Sequence, residues 1–334
     1  MIQIQRIKVV MRTSKDLILA TKPFTEEKRW RSWTESFGTL ALIGLFLSGT
    51  FLASPMILKL LCSLVTGLLY VRMFVIYHDY QHHAILQKSK LASYLMQAFG
   101  VYILAPQTIW KRSHDHHHGH NSKLTITGIG SYPTISKDRY LKLSAAEQNI
   151  YLMNRHPLTI IFGYFTLFLY WLNIKSFIQS PRKHIDSLVA IVFHLGLGAF
   201  IVLQFGIATF FISFFAPFFI SFAIGSYLFY SQHNFPQAQF RENQDWTYDN
   251  AALTSTSFMK MPELMHWFTG DIGYHHVHHL NSRIPFYRLR ETMRLMPELQ
   301  SVYTTSLNPI EIWRCFQLKL WDAEKGKMIR LSEI

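Results

Sequence analysis

Three short stretches of the sequence carry most of its 17 histidines. Box 1 is residues 78–83 (HDYQHH), box 2 is residues 114–118 (HDHHH), and box 3 is residues 273–280 (GYHHVHHL). Boxes 2 and 3 share the spacing HxxHH, which chance rarely produces twice in one chain. Neutral imidazole is the commonest protein ligand of metal ions, so the three boxes together predict a metal centre.

Helical spacing predicts which of these histidines point the same way. Positions i, i+3 and i+4 of a helix share one face. The sets that share a face are His78 with His82, His114 with His117 and His118, and His275 with His278 and His279. His83, His116 and His120 point away from these sets. A tetrahedral zinc takes four ligands. Because the sets offer more nitrogens than that, the sequence predicts a dinuclear centre for two iron-sized ions.

The composition is that of a membrane protein. Hydrophobic residues make up 49% and charged residues 16% of the chain, whereas ordinary soluble domains contain about 25% charged residues. The apolar residues form long blocks, and the formal charge of +13 is spread over the segments that flank them. Flanking Lys and Arg mark the cytoplasmic side of a membrane. The charge therefore predicts membrane orientation, with no nucleic-acid partner.

Cysteine usage and the polar start of the chain favour an intracellular catalytic side. The two cysteines, Cys62 and Cys315, have neither zinc spacing nor a disulfide framework, which fits a reducing compartment. The first 36 residues are charged and polar, so we expect a cytosolic lead-in and no cleavable signal peptide.

The order of apolar blocks and boxes limits the topology. Boxes that share one metal centre must lie on one side of the bilayer, so an even number of crossings separates them. Blocks that approach the ~20 residues needed to cross are predicted to span the membrane at residues 37–53, 56–77, 185–203 and 207–230. The blocks 91–105 and 157–173 are predicted to stay on the cytoplasmic side, the first because it is short, the second because basic residues flank both its ends.

The predicted fold class is all-α: a multi-pass membrane protein with four transmembrane helices, and with the boxes and both termini on the cytoplasmic face. The predicted division is a lead-in at residues 1–36, a membrane domain at 37–290 and C-terminal surface helices at 291–334. Asn308-Pro309 is typical of a helix start. An apolar stripe is predicted to follow it at Ile310, Trp313, Phe316 and Leu320.

Several single residues carry their own expectations. Asp79, Asp115 and Asp271 accompany the boxes and either accept the second N–H of metal-bound histidines or are solvated loop acids. Arg72 is expected to extend toward lipid head groups. His194, inside the third span, is expected to pack between helices because it lies far from the boxes.

Residues 268–285, FTGDIGYHHVHHLNSRIP, resemble the signature of the membrane fatty acid desaturases of the bacterial acyl-lipid type. The resemblance continues through 232–234 and through Trp246, Tyr248 and 251–253, and covers roughly residues 37–290. It implies four spans, a cytosolic helical cap and two iron ions held by nine histidines. The implied metal ligands are His78, His82, His114, His117, His118, His233, His275, His278 and His279. Box 1 departs from the family pattern, which leaves His83 as an alternative ligand, and His116 and His120 are also unusual.

The resemblance also implies a reaction. Two hydrogens leave adjacent carbons of an acyl-lipid or fatty acyl substrate, and O2 is reduced to water. The two electrons come from a donor protein. Because the sequence lacks the His-Pro-Gly-Gly motif of a fused haem domain, the donor is expected to be separate: a ferredoxin or a cytochrome-b5-like protein, steered by basic residues. The expected location is the cell (inner) membrane.

Three other functions fit some of these features. A hydroxylase or ketolase of carotenoids or lipids would use the same iron site, and product analysis separates it from a desaturase. A metal transporter would place its ionisable ligands within the spans near the midplane, whereas the boxes follow span ends. A non-enzymatic membrane scaffold gives no reason for two matched HxxHH boxes.

Overall fold

The computed structural model describes residues 12, 14–125 and 130–334, so residues 1–11 and 13 of the predicted lead-in lie outside the described part. The described chain is mostly helical. Its α-helices are α1 Ser14–Ala20, α2 Arg29–Leu52, α3 Met56–Gln81, α4 Lys90–Tyr102, α5 Gln107–His120, α6 Lys137–Leu141, α7 Ala145–Asn154, α8 Pro157–Ile161, α9 Ser176–Gln179, α10 Ile185–Phe210, α11 Ala216–Ser231, α12 Tyr248–Thr254, α13 Glu263–Phe268, α14 His275–Leu280, α15 Leu289–Leu295 and α16 Pro309–Gln317. Two π-helical segments, Tyr164–Lys175 and Phe211–Phe215, join α8 to α9 and α10 to α11.

Three helical stretches are long and apolar enough to cross a membrane: Arg29–Leu52, Met56–Gln81 and Ile185–Ser231. The first starts at Arg29, inside the predicted lead-in. The second continues to Gln81, so that box 1 begins in its last turn and His82 is the residue after its end. The chain is therefore a membrane protein, as predicted.

The long third stretch is a hairpin and not one straight helix. Gly206 has φ 84° and ψ 164°, which is non-helical backbone that glycine adopts readily. The ring of His194 lies 4.7 Å from Phe214 and 4.8 Å from Phe218, although twenty residues of continuous helix would separate them by about 30 Å. The chain thus reverses at Gly206. His194 also contacts the Tyr164 hydroxyl through Nε2, which confirms its expected packing role.

The two shorter apolar blocks form different elements. The helix α4 has 13 residues, about 20 Å, which is less than the thickness of a bilayer core. The block 157–173 becomes α8 and the first π-helical segment. It packs on the long helices through Phe168, whose ring lies 4.1 Å from Phe222 and 6.0 Å from Phe74.

The Arg72 side chain is buried, with 3% of its surface exposed, so the expected extension toward lipid head groups is wrong. Its guanidinium donates to the Glu35 carboxylate on α2 and to the Trp267 carbonyl on α13, and lies 4.2 Å over the Trp267 ring. Partners from two distant segments hold it inside the protein. Arg72 therefore ties α2 and α3 to the segment that leads into box 3.

Four short strands qualify the all-α prediction. They are β1 Phe258–Lys260, β2 Thr304–Ser306, β3 Leu318–Asp322 and β4 Lys327–Arg330. β1 pairs with β2 in parallel, and β3 pairs with β4 as an antiparallel hairpin. Leu320 belongs to β3, whose alternating burial replaces the predicted helical stripe there. The predicted helix start is confirmed, because the Asn308 side chain accepts the Ile310 N–H at 2.9 Å.

Candidate metal centre

Four separate elements bring the histidine boxes together. Box 1 ends α3, box 2 lies on α5, and box 3 forms α14. His233 lies two residues beyond the end of α11. The buried or half-buried imidazoles form two groups, within each of which the ligand atoms all lie within 4.8 Å of one another. The first group is His78, His82, His114, His118 and His278, and the second is His117, His233, His275 and His279.

The closest nitrogens are within hydrogen-bond distance across elements. His233 Nε2 lies 2.9 Å from His275 Nε2 and 3.1 Å from His117 Nε2. His118 Nε2 lies 3.1 Å from the Nε2 atoms of both His114 and His278. The two groups adjoin each other, since the ring of His118 in the first stacks 4.2 Å from the ring of His279 in the second.

Burial favours the neutral form of seven of these imidazoles. It lowers their pKa well below the usual value, and neighbouring imidazoles, which repel a second positive charge, lower it further; the seven are His82, His114, His117, His118, His275, His278 and His279. The Nε2 atoms of His82 and His279 are buried without a hydrogen-bond partner, a costly arrangement that a bound cation would relieve. Neutral imidazole is the form that binds metal, so the donor set fits a metal centre.

His233 reaches the second group because the chain continues its turn past α11. The His233 N–H bonds to the Tyr230 carbonyl at 3.3 Å. Its Nδ1 lies 3.2 Å from the Ser255 carbonyl, which leaves Nε2 facing the cluster. Burial lowers the pKa of His233 to about 4, and the Ser255 contact opposes this. Helical spacing within the boxes could not find this residue; the family resemblance did.

The three histidines that were predicted to point away from the shared faces lie outside both groups. His83 is exposed and has a positive φ of 59°, which turns it away from α3, whereas His82 faces the first group. His116 and His120 stack on each other at 4.1 Å on the outer face of α5. The predicted helix faces are therefore confirmed for these residues.

The three acids beside the boxes differ in their surroundings. Asp79 is buried, with Oδ1 3.2 Å from His78 Nδ1, and its Oδ2 accepts the Phe286 N–H at 2.6 Å. It thereby orients one box histidine. Asp115 is exposed and pairs with Lys111 at 2.7 Å, as a solvated acid would. Asp271 faces Arg290 and His266 and contacts no box histidine.

Two neighbours of His233 have roles that the sequence did not reveal. The Gln232 amide donates to the Ile272 carbonyl at 2.8 Å and so links the end of α11 to the start of box 3. Asn234 accepts from Arg155 at 2.8 Å and donates to the Cys315 carbonyl at 2.8 Å. In the sequence, the signal for both residues is the family resemblance of residues 232–234.

A cavity of about 780 Å³ leads away from the histidines. His78, His114 and His275 lie at its inner end. Its walls are largely apolar and include Val71, Phe74, Trp110, Phe168, Phe222 and Phe229. Gly225 of α11 also lines the cavity, and an added Cβ there would meet no atom within 4 Å. The volume and the largely apolar lining suit a long apolar group that reaches the histidines.

Comparison with known proteins places the chain in a family. The family model "Fatty acid desaturase" matches residues 54–308. A "Fatty acid desaturase" of Bacillus subtilis is 29% identical, over 83% of this chain and 79% of the relative. Two Synechocystis proteins, an "sn-1 oleoyl-lipid 12-desaturase" and an "sn-1 acyl-lipid omega-3 desaturase (ferredoxin)", are each 24% identical, over 79% and 77% of this chain and 75% and 72% of the relatives. With its buried histidine groups and membrane helices, the chain belongs to the fatty acid desaturase family.

Proposed function

We propose that this enzyme introduces a double bond into an acyl chain of a membrane lipid at a centre of two iron ions. The observation that carries the proposal is the meeting of two buried histidine groups with the inner end of a long apolar cavity. An apolar cavity binds an acyl chain by removing its surface from water, and the histidines stand beside the bound segment.

The proposed iron ligands are the nine histidines of the two groups. Five nitrogens would hold one ion and four the other. The iron pair would supply the oxidation, in which two hydrogens leave adjacent acyl carbons and O2, with two electrons from a donor protein, is reduced to water. Asp79 would hold His78 in the orientation that directs its Nε2 at the ions.

The other residues of the site position the substrate and exclude water. The aromatic walls from Phe74, Trp110, Phe168 and Phe222 confine the acyl chain, so that only a short segment lies beside His78 and His275. Because the reacting carbons are held in one position, less entropy is lost on the way to the transition state, and the activation free energy of the reaction is lower. The same walls keep bulk water away from a reactive centre.

The membrane arrangement that we propose has four spans: α2, α3 and the two arms of the hairpin around Gly206. The reversal at Gly206 supports it, because an even number of crossings then returns His233 to the side of box 1. The boxes, both termini and a cytosolic cap would lie on the cytoplasmic face of the cell membrane. Within this arrangement, residues 1–36 are the lead-in, 37–290 the desaturase domain, and 291–334 a surface segment.

The electron donor that we propose is a separate protein. One relative carries ferredoxin in its name, and basic residues on the cytoplasmic side would attract an acidic carrier of that kind or a cytochrome-b5-like protein.

Purified protein is expected to contain about two irons per chain and little zinc, because nine imidazoles exceed the demand of one zinc. Elemental analysis measures the metal.

Expression in a host that lacks the activity is expected to add a double bond to its lipid acyl chains, measured by gas chromatography of the fatty acids. One tightly held zinc without iron contradicts the metal centre, and a hydroxylated or ketolated product contradicts the reaction.

Reporter fusions are expected to place Lys175 in the cytoplasm and Gly206 outside. Lys175 ends the π-helical segment that follows a block with basic ends, whereas the turn at Gly206 carries no charge. Fusions within 130–155 and 235–334 should report the cytoplasmic side as well. An external reporter at Lys175 would mean that the block 157–173 crosses the membrane, and the proposed arrangement would then fail.

A further inference from the structure

Five residues that line the cavity are polar or basic and are exposed or half-buried, which marks its open end. They are Arg112 of α5, Lys175 at the end of the π-helical segment, and Ser176, Gln179 and Ser180. We call these five residues the cavity mouth. We propose that the mouth binds the phosphate of a glycerophospholipid, so that the enzyme takes its acyl chains from phospholipids. This inference rests on the proposed function and adds the head group of its substrate.

The depth of the mouth is that of lipid head groups. Tyr170 and Trp171, one turn before Lys175, are 51% and 43% exposed. Exposed Trp and Tyr are enriched at the two membrane–water interfaces. The Lys175 ammonium lies 3.5 Å from the centre of the Trp171 ring, and the span-forming helix α10 begins nearby at Ile185. A lipid that stays in the bilayer therefore keeps its head group level with the mouth.

The charge of the mouth fits an anion. Among the described residues, Arg112 and Lys175 line the cavity from two different elements, and no Asp or Glu lines it. The nearby Asp186 is already bonded to Thr108, whose hydroxyl and N–H donate to it at 2.6 and 3.1 Å. An uncharged sugar head group gives two cations no partner, whereas phosphate takes charge-assisted hydrogen bonds from both Arg and Lys.

The path from mouth to histidines matches the order of parts in a phospholipid. Gln179 and Ser180 follow Lys175 at the mouth and offer neutral donors to glycerol and ester oxygens. The Ser176 hydroxyl donates to the Trp171 carbonyl at 3.1 Å, so its oxygen remains as an acceptor. The buried part of the lining includes the apolar side chains of Trp110 and Phe168, and the Trp110 ring lies 5.6 Å from the ring of His78. A head group fixed at the mouth would fix which acyl carbons arrive at the histidines.

Equilibrium binding of two lipids tests the proposal. The probes are phosphatidylglycerol and monoglucosyldiacylglycerol with the same fluorescent acyl chain, added to the full-length enzyme in detergent. The double variant Arg112→Gln, Lys175→Gln is expected to bind phosphatidylglycerol roughly tenfold more weakly and the glucolipid as tightly as the unaltered protein. The matched control is Arg182→Gln, Lys183→Gln, which removes two exposed cations that do not line the cavity and should leave both affinities unchanged.

Other outcomes overturn the proposal. The double variant could lose affinity equally for both lipids, or the control variant could lose as much affinity for phosphatidylglycerol as the double variant. Either result would show that the mouth does not recognise phosphate. A third probe is an acyl-coenzyme A with the same acyl chain. The proposal is overturned if the protein binds this probe more tightly than phosphatidylglycerol and if the double variant loses more affinity for it. Because Arg112 lies two residues from His114, iron content is measured in each variant. Binding needs no turnover, so phosphate-dependent binding by a protein that forms no double bond would refute the proposed function alone.

Discussion

Replacing His233 by alanine should abolish double-bond formation, a loss of roughly 100-fold or more, while the protein still accumulates in the membrane. Its Nε2 lies within 3.1 Å of nitrogens from both box 2 and box 3, so the change removes one of the four imidazoles of the second group. Even partners that only orient a ligand are worth about 10–100-fold in metal affinity or activity. Fatty acid profiles of the host and iron content per chain are the two measurements.

The matched control is His116→Ala. His116 is also a box histidine, but it stacks on His120 on the outer face of α5 and belongs to neither group. This variant should keep most of its activity and both irons. Normal product from His233→Ala together with lost activity in His116→Ala would show that the proposed ligand set is wrong.

Replacing Gly225 by leucine should reduce acyl-chain conversion by roughly 100-fold and leave the iron content unchanged. Gly225 lines the cavity, and an added Cβ meets no atom within 4 Å. The leucine therefore fits the fold and occupies the space in which the acyl chain is proposed to lie. Leucine also has the higher helix propensity, so the loss should come from blocked substrate binding and not from unfolding.

Gly44→Leu is the control for this change. Gly44 lies on α2, an added Cβ there likewise meets no atom within 4 Å, and the residue does not line the cavity. Activity is expected to stay near that of the unaltered protein. If Gly225→Leu converts lipid as fast as Gly44→Leu, the acyl chain does not run along α11.

The sequence alone determined features that repeat along one element. The HxxHH spacing of boxes 2 and 3 assigned histidines to helix faces. The box 2 face agrees with the structure, because His116 and His120 stack outside both groups. The long apolar blocks identified a membrane protein, and the motif around box 3 identified the family. These features are local, because the helical period of 3.6 residues and the length of a span are both fixed by neighbouring residues.

Only the tertiary structure decided which distant residues meet. It assigned Arg72 to Glu35 and Trp267 and not to head groups, Asp271 to Arg290, and Asn234 to Arg155. It also brought His233, from outside every box, to within 2.9 Å of His275.

The physical reason is the same in each case. A helix face specifies the direction in which a side chain points but not the element that lies opposite. The partner depends on where α11 ends, how the chain reverses at Gly206, and how the segment after it packs, and those contacts are set by the whole core at once. The type of chemistry was therefore encoded in local spacing, whereas the two separate histidine groups and the cavity beside them arise from long-range packing.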